Sequence, residues 1–369
     1  MSGDLLGEVG SEPDAGSLGR RALALCSIPS PIGHEAALAD AVAGWASHVY
    51  DAGEVVRVGH SFVLGRRDDP RPSVALVGHL DTVPARPGEP APRIEGARLH
   101  GLGSSDMKGG VAVMMALAET LELDALPVNV LLVLYEREEG PYLESGLGPL
   151  FESVPTLRRL AFGIALEPTD GVVQVGCVGS LHATVRFHGR AAHAARPWQG
   201  VNAIHLAGPV LAELLGRAPR EVERGGFVFR EVTSATVASG GRARNVVPDA
   251  FELNLNVRFA PGRTPEDAEA ELRSWIGNRA EVTIIDRAPS GPVCTGNLLY
   301  RKLLETTGLR AEPKQAWTDV ARLGAMGIDA VNYGPGETAQ AHQANESAGV
   351  PALEDAYRKL RVFLTSSSS

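Results

Sequence analysis

The sequence has few cysteines, few aromatic residues, no excess of basic charge and no long uninterrupted hydrophobic run. Its three cysteines, Cys26, Cys177 and Cys294, are too widely spaced for a disulfide framework or a CxxC metal clip, so we expect small core residues. The net charge of −9 argues against nucleic acid or an anionic membrane as a partner, because both call for a basic face. No apolar run approaches the roughly 18 residues of a membrane span.

The composition is typical of a globular protein with two domains. Apolar residues make up 44% of the 369 residues and charged residues 21%, which suits a sizeable core. Two domains are expected because a single core rarely grows beyond about 250–300 residues. Residues 1–14 are acidic and lack the basic-then-apolar order of a signal peptide. With so few cysteines, this predicts a cytoplasmic protein.

The hydrophobic pattern predicts an α/β domain that is interrupted by an α+β domain. Helical patterns alternate with continuous apolar runs such as SVALVG, VNVLLVLY and AFGIALE, which is typical of a mostly parallel sheet flanked by helices. From Ser180 the strands alternate in polarity, and the order β-α-β-β-α-β is that of a ferredoxin-like unit. We therefore predict one domain at residues 1–178 and 289–369, and an inserted domain at residues 179–288.

His79 and Asp81 follow the apolar run SVALVG and lie two residues apart, hence on one face of a strand. Ligands of open α/β sheets bind at the carboxyl ends of the strands, which makes His79 a candidate metal ligand. Asp81 is placed to accept the other imidazole N–H and to fix the tautomer. An ordinary polar strand end would look the same, so this pair alone decides nothing.

The segment GLGSSDMKGG excludes one class of ligand. Gly101 and Gly103 begin a pattern like a dinucleotide-binding loop, but Asp106 occupies the third glycine position, where a carboxylate would repel a pyrophosphate. Asp106 precedes a helix and is therefore either a helix cap or a ligand. Lys108 is either solvated or in contact with a ligand.

Further acids and a second histidine follow other predicted strands. Glu138 and Glu139 belong to an acidic cluster after VNVLLVLY, Glu167 ends FGIALE, and His342 follows DAVNYG. The cluster alone is explained by a solvated loop. Two histidines and at least three carboxylates at one sheet edge instead predict a mixed nitrogen and oxygen site for zinc, cobalt or manganese.

The number of candidate ligands favours two metal ions. Tetrahedral zinc takes about four ligands, whereas five candidates are present: His79, Asp106, Glu139, Glu167 and His342. Two metals about 3.5–4 Å apart that share Asp106 would use all five and would leave a bridging water. Glu138, adjacent to a ligand, is then the natural general base for that water.

Five ordered motifs, GHLDTVP, GSSDMKGG, EREEG, ALEPTD and AHQANE, resemble those of a family of two-zinc amidohydrolases and exopeptidases. The family includes succinyl-diaminopimelate desuccinylase, acetylornithine deacetylase and carboxypeptidase G, and the resemblance covers nearly the whole chain. It implies a zinc-peptidase-like catalytic domain with two Zn²⁺ per subunit, Co²⁺ or Mn²⁺ being possible instead. Asp106 would bridge the metals, His79 and Glu167 would bind one, and Glu139 and His342 the other.

The resemblance also assigns residues that are not ligands. Glu138 would be the general base, Asp81 would orient His79, and the peptide bond after Asp106 would be cis. In the inserted lid or dimerisation domain, His193 and Asn245 would help to hold the oxygen of the scissile amide, often from the neighbouring subunit.

Arg258 would bind a substrate carboxylate, with Arg242 and Arg244 as further candidates for bidentate contacts. The alternatives for His193, Asn245 and Arg258 are an interface histidine, a turn asparagine before Pro248 and a solvated strand arginine.

Within the family, three segments look most like the desuccinylase branch of actinobacteria and some other bacteria: GCVGSLHATVRFHGRAAHAARPWQGVNAIH, SGGRARNVVPDAFELNLNVRFAP and KQAWTDVAR with the later NYGPG. This implies a homodimer that converts N-succinyl-LL-2,6-diaminopimelate to succinate and LL-2,6-diaminopimelate, for lysine and peptidoglycan precursor biosynthesis. A small anionic N-acyl amino acid is the expected substrate. Many desuccinylases carry an arginine pair where Cys177 and Val178 stand here, so an acetylornithine deacetylase, a dipeptidase or an aminoacylase is the alternative. A non-catalytic metal-binding protein is disfavoured because it has no use for Glu138.

Overall fold

A computed structural model of the chain describes residue 6 and residues 10–367, which divide into two compact units. The first unit comprises the described residues up to Val175, Cys294–Glu312 and the described residues from Leu323 onward. The second comprises Gly176–Val293 and Pro313–Arg322.

The breaks at Val175 and Val293 lie close to the predicted borders at residues 178 and 289, but Pro313–Arg322, which the sequence assigned to the first domain, belongs to the second unit. Its hydrogen bonds explain the difference. Trp317 Nε1 donates to the carbonyl of Pro289 at 3.0 Å, and Gln315 exchanges two hydrogen bonds with the backbone of Arg230.

The elements before the second unit are α1 (Ala15–Cys26), α2 (Ala36–Val49), β1 (Val55–Val58), β2 (Ser61–Leu64), β3 (Ser73–His79), β4 (Arg93–Glu95), β5 (Arg98–His100), α3 (Lys108–Thr120), β6 (Asn129–Tyr135), α4 (Leu147–Ser153), β7 (Phe162–Pro168) and β8 (Val173–Val175).

The elements from Gly179 to Ala288 all lie in the second unit. They are β9 (Gly179–His188), β10 (Ala192–His193), α5 (Ala203–Gly216), β11 (Arg220–Arg224), β12 (Phe227–Gly240), β13 (Val246–Val247), β14 (Ala250–Phe259), α6 (Pro265–Ile276) and β15 (Glu281–Ala288). The remaining elements are α7 (Leu298–Thr307), β16 (Ala311–Pro313), α8 (Val320–Ala325), β17 (Ala330–Gly334), β18 (Ser347–Gly349) and α9 (Val350–Thr365).

An eight-stranded sheet with the order β1-β2-β6-β3-β7-β17-β8-β16 forms the centre of the first unit. The central strands β6, β3, β7 and β17 are parallel neighbours, whereas β1, β2 and β8 pair antiparallel. Every residue of β6 and of β7 is buried, as expected for strands covered on both faces. The predicted mostly parallel sheet flanked by helices is confirmed.

The parallel strands bring their carboxyl ends to one edge of this sheet. His79, the last residue of β3, lies in register with Tyr135, the last residue of β6. Glu167 lies near the end of β7, which pairs with β3 on its other side. Residues that follow these strands in sequence therefore meet at the edge where ligands of such sheets bind.

The second unit contains an antiparallel sheet with the order β11-β12-β14-β9-β15. Side chains of β9 and β14 form a buried core with α5 and α6 on one face of this sheet. The predicted order β-α-β-β-α-β is present, and β11 and the two-residue strands β10 and β13 are unpredicted additions. Thr264 and Asp267 cap α6 reciprocally at 3.1 and 2.9 Å, as the sequence TPED predicts.

Cys26, Cys177 and Cys294 are buried and unpaired, which confirms that they are core residues. Among the described residues, no helix combines the length and the apolar character that crossing a bilayer requires.

Candidate metal centre

His79 lies at the carboxyl end of β3 with its side chain fully buried. Its Nε2 atom is 3.1 Å from Oδ1 of Asp106 and 3.9 Å from Oε1 of Glu167. The predicted ligands of the first metal thus lie around a single imidazole nitrogen.

Asp106 faces a second histidine with its other carboxylate oxygen. Its Oδ2 lies 3.6 Å from Nε2 of His342, and the same nitrogen lies 2.7 Å from Oε1 of Glu139. One oxygen of Asp106 therefore faces each half of the site, which is the placement expected of a bridging ligand. The alternative of a helix cap does not apply, because α3 begins at Lys108 and its N-cap residue is Met107. The Asp106–Met107 peptide bond is cis.

Glycine allows α3 to approach the strand that carries Glu167. A Cβ atom on Gly110 would lie 2.4 Å from the carbonyl oxygen of Leu166, and one on Gly109 would lie 2.7 Å from that of Ser104. Any larger residue would push the helix away from β7. The sequence KGG after Asp106 therefore keeps the loop that carries Asp106 close to Glu167.

Asp81 contacts the site differently from the prediction. The nearest acceptor for Nδ1 of His79 is the backbone carbonyl of Asp81 at 3.0 Å, whereas the carboxylate lies at 3.6 Å. The carboxylate instead accepts the backbone N–H groups of Glu138 and Glu139, both at 3.0 Å. Asp81 thus fixes His79 with its backbone and the Glu138–Glu139 segment with its side chain.

The acidic cluster after β6 is a set of separately bonded side chains and not a uniformly solvated loop. Oε1 of Glu136 accepts the backbone N–H of His60 at 2.9 Å, and Glu144 pairs with Arg137 at 3.0 Å. Glu139 is bonded to His342, as described above. The repulsion within the cluster is therefore offset by individual partners.

The electrostatics of the site favour a bound cation. Burial lowers the pKa of His79, but the nearby carboxylates of Asp106 and Asp81 outweigh it and raise this pKa well above its ordinary value. The hydrogen bond with Glu139 raises the pKa of His342 to about 9. A cation bound by these two nitrogens would replace the proton that each raised pKa favours.

The donor atoms fit the predicted metals. One ligand atom each of His79, Asp106 and Glu139 lies within 4.8 Å of the other two. Imidazole nitrogen and carboxylate oxygen are the donors that zinc, cobalt and manganese accept.

Two buried charged residues at the site have contacts that the sequence did not reveal. Lys108 is buried and donates to the carbonyls of Leu25 and Ile28 at 3.2 and 2.8 Å, so it is neither solvated nor a ligand contact. Glu346 is also buried, and its carboxylate accepts backbone N–H groups of the loop that ends at Asp106. Burial raises the pKa of Glu346 to about 7, although these N–H groups oppose the shift. Its only sequence signal is the motif AHQANE.

His193 and Asn245 lie side by side in the second unit. β10 pairs with β13 so that His193 opposes Val246, and the backbone N–H of Ala194 donates to the carbonyl of Asn245 at 2.8 Å. Nδ1 of His193 accepts the N–H of Ala195 at 3.1 Å. The neutral imidazole therefore carries its proton on Nε2, where it can donate to an oxygen atom. Both side chains are exposed.

Arg258 lies on β14, on the opposite face from the core side chains Leu255 and Phe259. It is partly buried, and its Nε donates to Oδ1 of Asn256 at 2.9 Å. Arg242 and Arg244 are exposed in the loop that follows β12.

Cys177 and Val178 are fully buried in the second unit, where Val178 packs with Phe229 and Ala260. Both positions, where the resemblance led us to look for an arginine pair, therefore contribute to the core.

Known proteins are similar to this chain in sequence and in architecture. Residues 175–283 match the family model M20_dimer, described as a peptidase dimerisation domain. A Mycobacterium tuberculosis protein, provisionally named succinyl-diaminopimelate desuccinylase, is 37% identical over 343 residues, which are 92% of this chain and 96% of the relative. The succinyl-diaminopimelate desuccinylase of Corynebacterium glutamicum is 33% identical over 350 residues, which are 92% of this chain and 94% of the relative.

Solved structures share the fold at lower identity. The M20 family metallo-carboxypeptidase Sso-CP2 of Sulfolobus solfataricus superimposes with a TM-score of 0.74 at 15% identity, over 93% of this chain and 97% of that one. The YXEP protein of Bacillus subtilis, a dinuclear metal binding peptidase of the M20 family, gives a TM-score of 0.66 at 14% identity, over 95% of this chain and 97% of that one.

Proposed function

Because this chain belongs to the M20 family of metallopeptidases and related amide hydrolases, we propose that it hydrolyses N-succinyl-LL-2,6-diaminopimelate to succinate and LL-2,6-diaminopimelate. The observation that carries this proposal is the convergence of His79, Asp106 and Glu139 at one sheet edge, in a chain whose relatives at 33 and 37% identity bear that name.

Five side chains would hold two zinc ions at this edge. Asp106 would be shared, His79 and Glu167 would complete one site, and Glu139 and His342 the other. Zinc held there would supply Lewis acidity, which lowers the pKa of water and polarises an amide carbonyl. The spacing of the imidazole and carboxylate atoms supports this assignment.

Glu138 would move the proton. As general base it takes a proton from the attacking water, and as general acid it gives that proton to the departing amine. The bond from its backbone N–H to Asp81 supports this role, because it fixes the start of the side chain beside the ligand Glu139. A base that is held close to its proton donor needs less reorganisation to reach the transition state.

His193 and Asn245 would stabilise the oxyanion that forms on the succinyl carbonyl. The proton on Nε2 of His193 is available for this bond because Nδ1 already accepts a backbone N–H. Arg258 would bind a carboxylate of the substrate by a bidentate contact. In the related family these groups often come from the neighbouring subunit.

We also propose a cytoplasmic homodimer that forms through the second unit. β11 pairs with β12 only from Phe227 to Glu231, which leaves one side of the later part of β12 open for pairing. Apolar side chains are exposed in the same unit. Val237, in the later part of β12, is 62% exposed, and Leu215 on α5 is 91% exposed. Apolar exposure beside an open strand edge supports a second copy as the partner. Three buried free cysteines suit a reducing compartment.

Turnover of N-succinyl-LL-2,6-diaminopimelate by zinc-loaded protein, compared with N-acetylornithine and a dipeptide, tests the proposal. We expect the highest kcat/KM for the succinyl substrate. Deacetylation of N-acetylornithine or dipeptide hydrolysis is the second candidate, which the buried Cys177 and Val178 favour because they remove a possible anion contact. A preference for either of those substrates by tenfold or more, about 1.4 kcal/mol of transition-state binding, would replace the succinyl assignment.

A further inference from the structure

The carboxylate of Glu346 holds the loop that leads to Asp106. Its Oε1 atom accepts the backbone N–H groups of Ser105 at 2.8 Å and Asp106 at 3.0 Å. Its Oε2 atom accepts that of Gly103 at 3.1 Å. The side chain is buried, so water does not compete for these bonds.

The backbone of Glu346 is tied to the same loop. The N–H of Gly101 donates to its carbonyl at 2.9 Å, and the following strand β18 pairs with β5 so that Ser347 opposes His100. The backbone carbonyl and both carboxylate oxygens of Glu346 therefore accept hydrogen bonds from residues 101–106.

Glu346 follows His342 by four residues in the same short segment. His342 has a positive φ of 61°, which is uncommon for a residue with a side chain, and its carbonyl accepts a hydrogen bond from Arg86 at 2.9 Å. This segment consequently supplies one candidate ligand with His342 and fixes the backbone of another with Glu346.

We infer that Glu346 is a positioning residue for the metal centre, which presets the backbone of the Asp106 loop so that one oxygen of Asp106 faces each histidine. The inference rests on the proposed function in so far as Asp106 is a bridging ligand. A carboxylate is suited to this task because charged acceptors make the stronger hydrogen bonds to backbone N–H groups, and because two oxygens can accept three donors at once.

The test uses metal-free protein first. In Glu346→Gln, the amide keeps the size of the side chain but replaces one oxygen with a donor, which cannot accept an N–H group. Glu346→Asp keeps the charge but is too short to reach all three groups. Hydrogen–deuterium exchange should become faster in the peptide that covers residues 101–107 in both variants, while peptides from β6 stay unchanged.

Zinc binding, measured by competition with a chromophoric chelator, should weaken about 10–100-fold in both variants, the usual effect of removing a residue that orients a ligand. Glu337→Gln is the matched control, because the Glu337 side chain pairs with Arg98 and its variant should bind zinc like the wild type. Neither measurement depends on the substrate, so a wrong substrate assignment leaves the result intact.

Two outcomes would overturn the inference. One is a variant that folds and still shows the hydrogen–deuterium exchange rate and the zinc affinity of the wild type. The other is loss of the whole fold in both variants, detected by circular dichroism, because Glu346 would then support the protein generally and not the Asp106 loop.

Discussion

The Oδ1 atom of Asp81 accepts the backbone N–H of Glu138 at 3.0 Å across 57 residues of sequence. Asn at position 81 would keep the size of the side chain but would turn one acceptor oxygen into a donor. Asp81→Asn should therefore lower kcat by about 10–100-fold, the usual effect of altering a residue behind a metal site. Asp40→Asn is the control, since Asp40 is exposed and pairs with Arg57. Equal kcat values for both variants would exclude the positioning role of Asp81.

Metal analysis should find about two zinc ions per chain after reconstitution, because five ligands with a shared carboxylate hold two metals. Chelator treatment should abolish activity, and added zinc should restore it. His342→Ala should lower the metal content, whereas His188→Ala, which removes an exposed histidine paired with Glu281, should not. Saturation at one metal, unchanged in His342→Ala, would contradict the two-metal site.

Glu138 and Glu139 should respond differently to the same substitution. Glu138→Gln should keep the metals and substrate binding but lose at least about 100-fold in kcat, the usual contribution of a positioned base. Glu139→Gln should bind metal more weakly, because Glu139 is placed as a ligand beside His342. Metal titration and steady-state kinetics on both variants separate the roles, and the reverse result would exchange the two assignments.

Two inactive variants should restore activity when mixed, if His193 acts across the dimer. A mixed dimer of Glu138→Gln and His193→Ala has one site with both defects and one with neither. At equal amounts, half of the dimers are mixed, so activity should reach about a quarter of the wild type. Subunit exchange must be shown independently, for example with differently tagged chains. Exchange without recovered activity would place His193 in its own chain's site or outside catalysis.

Metal binding should strengthen as the pH rises. The pKa of His342 is about 9 without metal, so its nitrogen is protonated below that pH and must lose the proton to bind a cation. Each released proton raises the apparent affinity about tenfold per pH unit up to the pKa of the group. Chelator competition between about pH 7 and pH 9 measures this slope. His342→Ala should show a smaller slope, and an equal slope in both proteins would contradict the prediction.

Continuous apolar runs made the central part of the site predictable. Strands β3 and β7 are buried on both faces, so their hydrophobic sequence marks where each ends, and parallel pairing then brings His79 and Glu167 together. Contacts that depend on tertiary geometry could not be predicted in this way. The sequence suggests that Asp81 supports His79, but not that its backbone carbonyl makes the closer contact.

Long-range contacts of polar segments could not be predicted from the sequence either. Glu346 contacts Gly103 across 243 residues, and the motif AHQANE that contains it does not reveal this partner. β11 has the sequence REVER, in which only Val222 is apolar, so it resembles a charged loop. Residues 313–322 join the second unit through Gln315 and Trp317, which lie outside any recognisable strand pattern.

The order of the ligands along the chain has a consequence for biosynthesis. His79, Asp106, Glu139 and Glu167 all precede the second unit, whereas His342 and Glu346 follow it. A nascent chain on the ribosome therefore lacks one candidate ligand and the carboxylate that holds the Asp106 loop until nearly the whole protein has been translated. If His342 is a ligand as proposed, full metal loading would require a nearly complete polypeptide, and a chain terminated before His342 would lack part of the centre even though most of its candidate ligands are present.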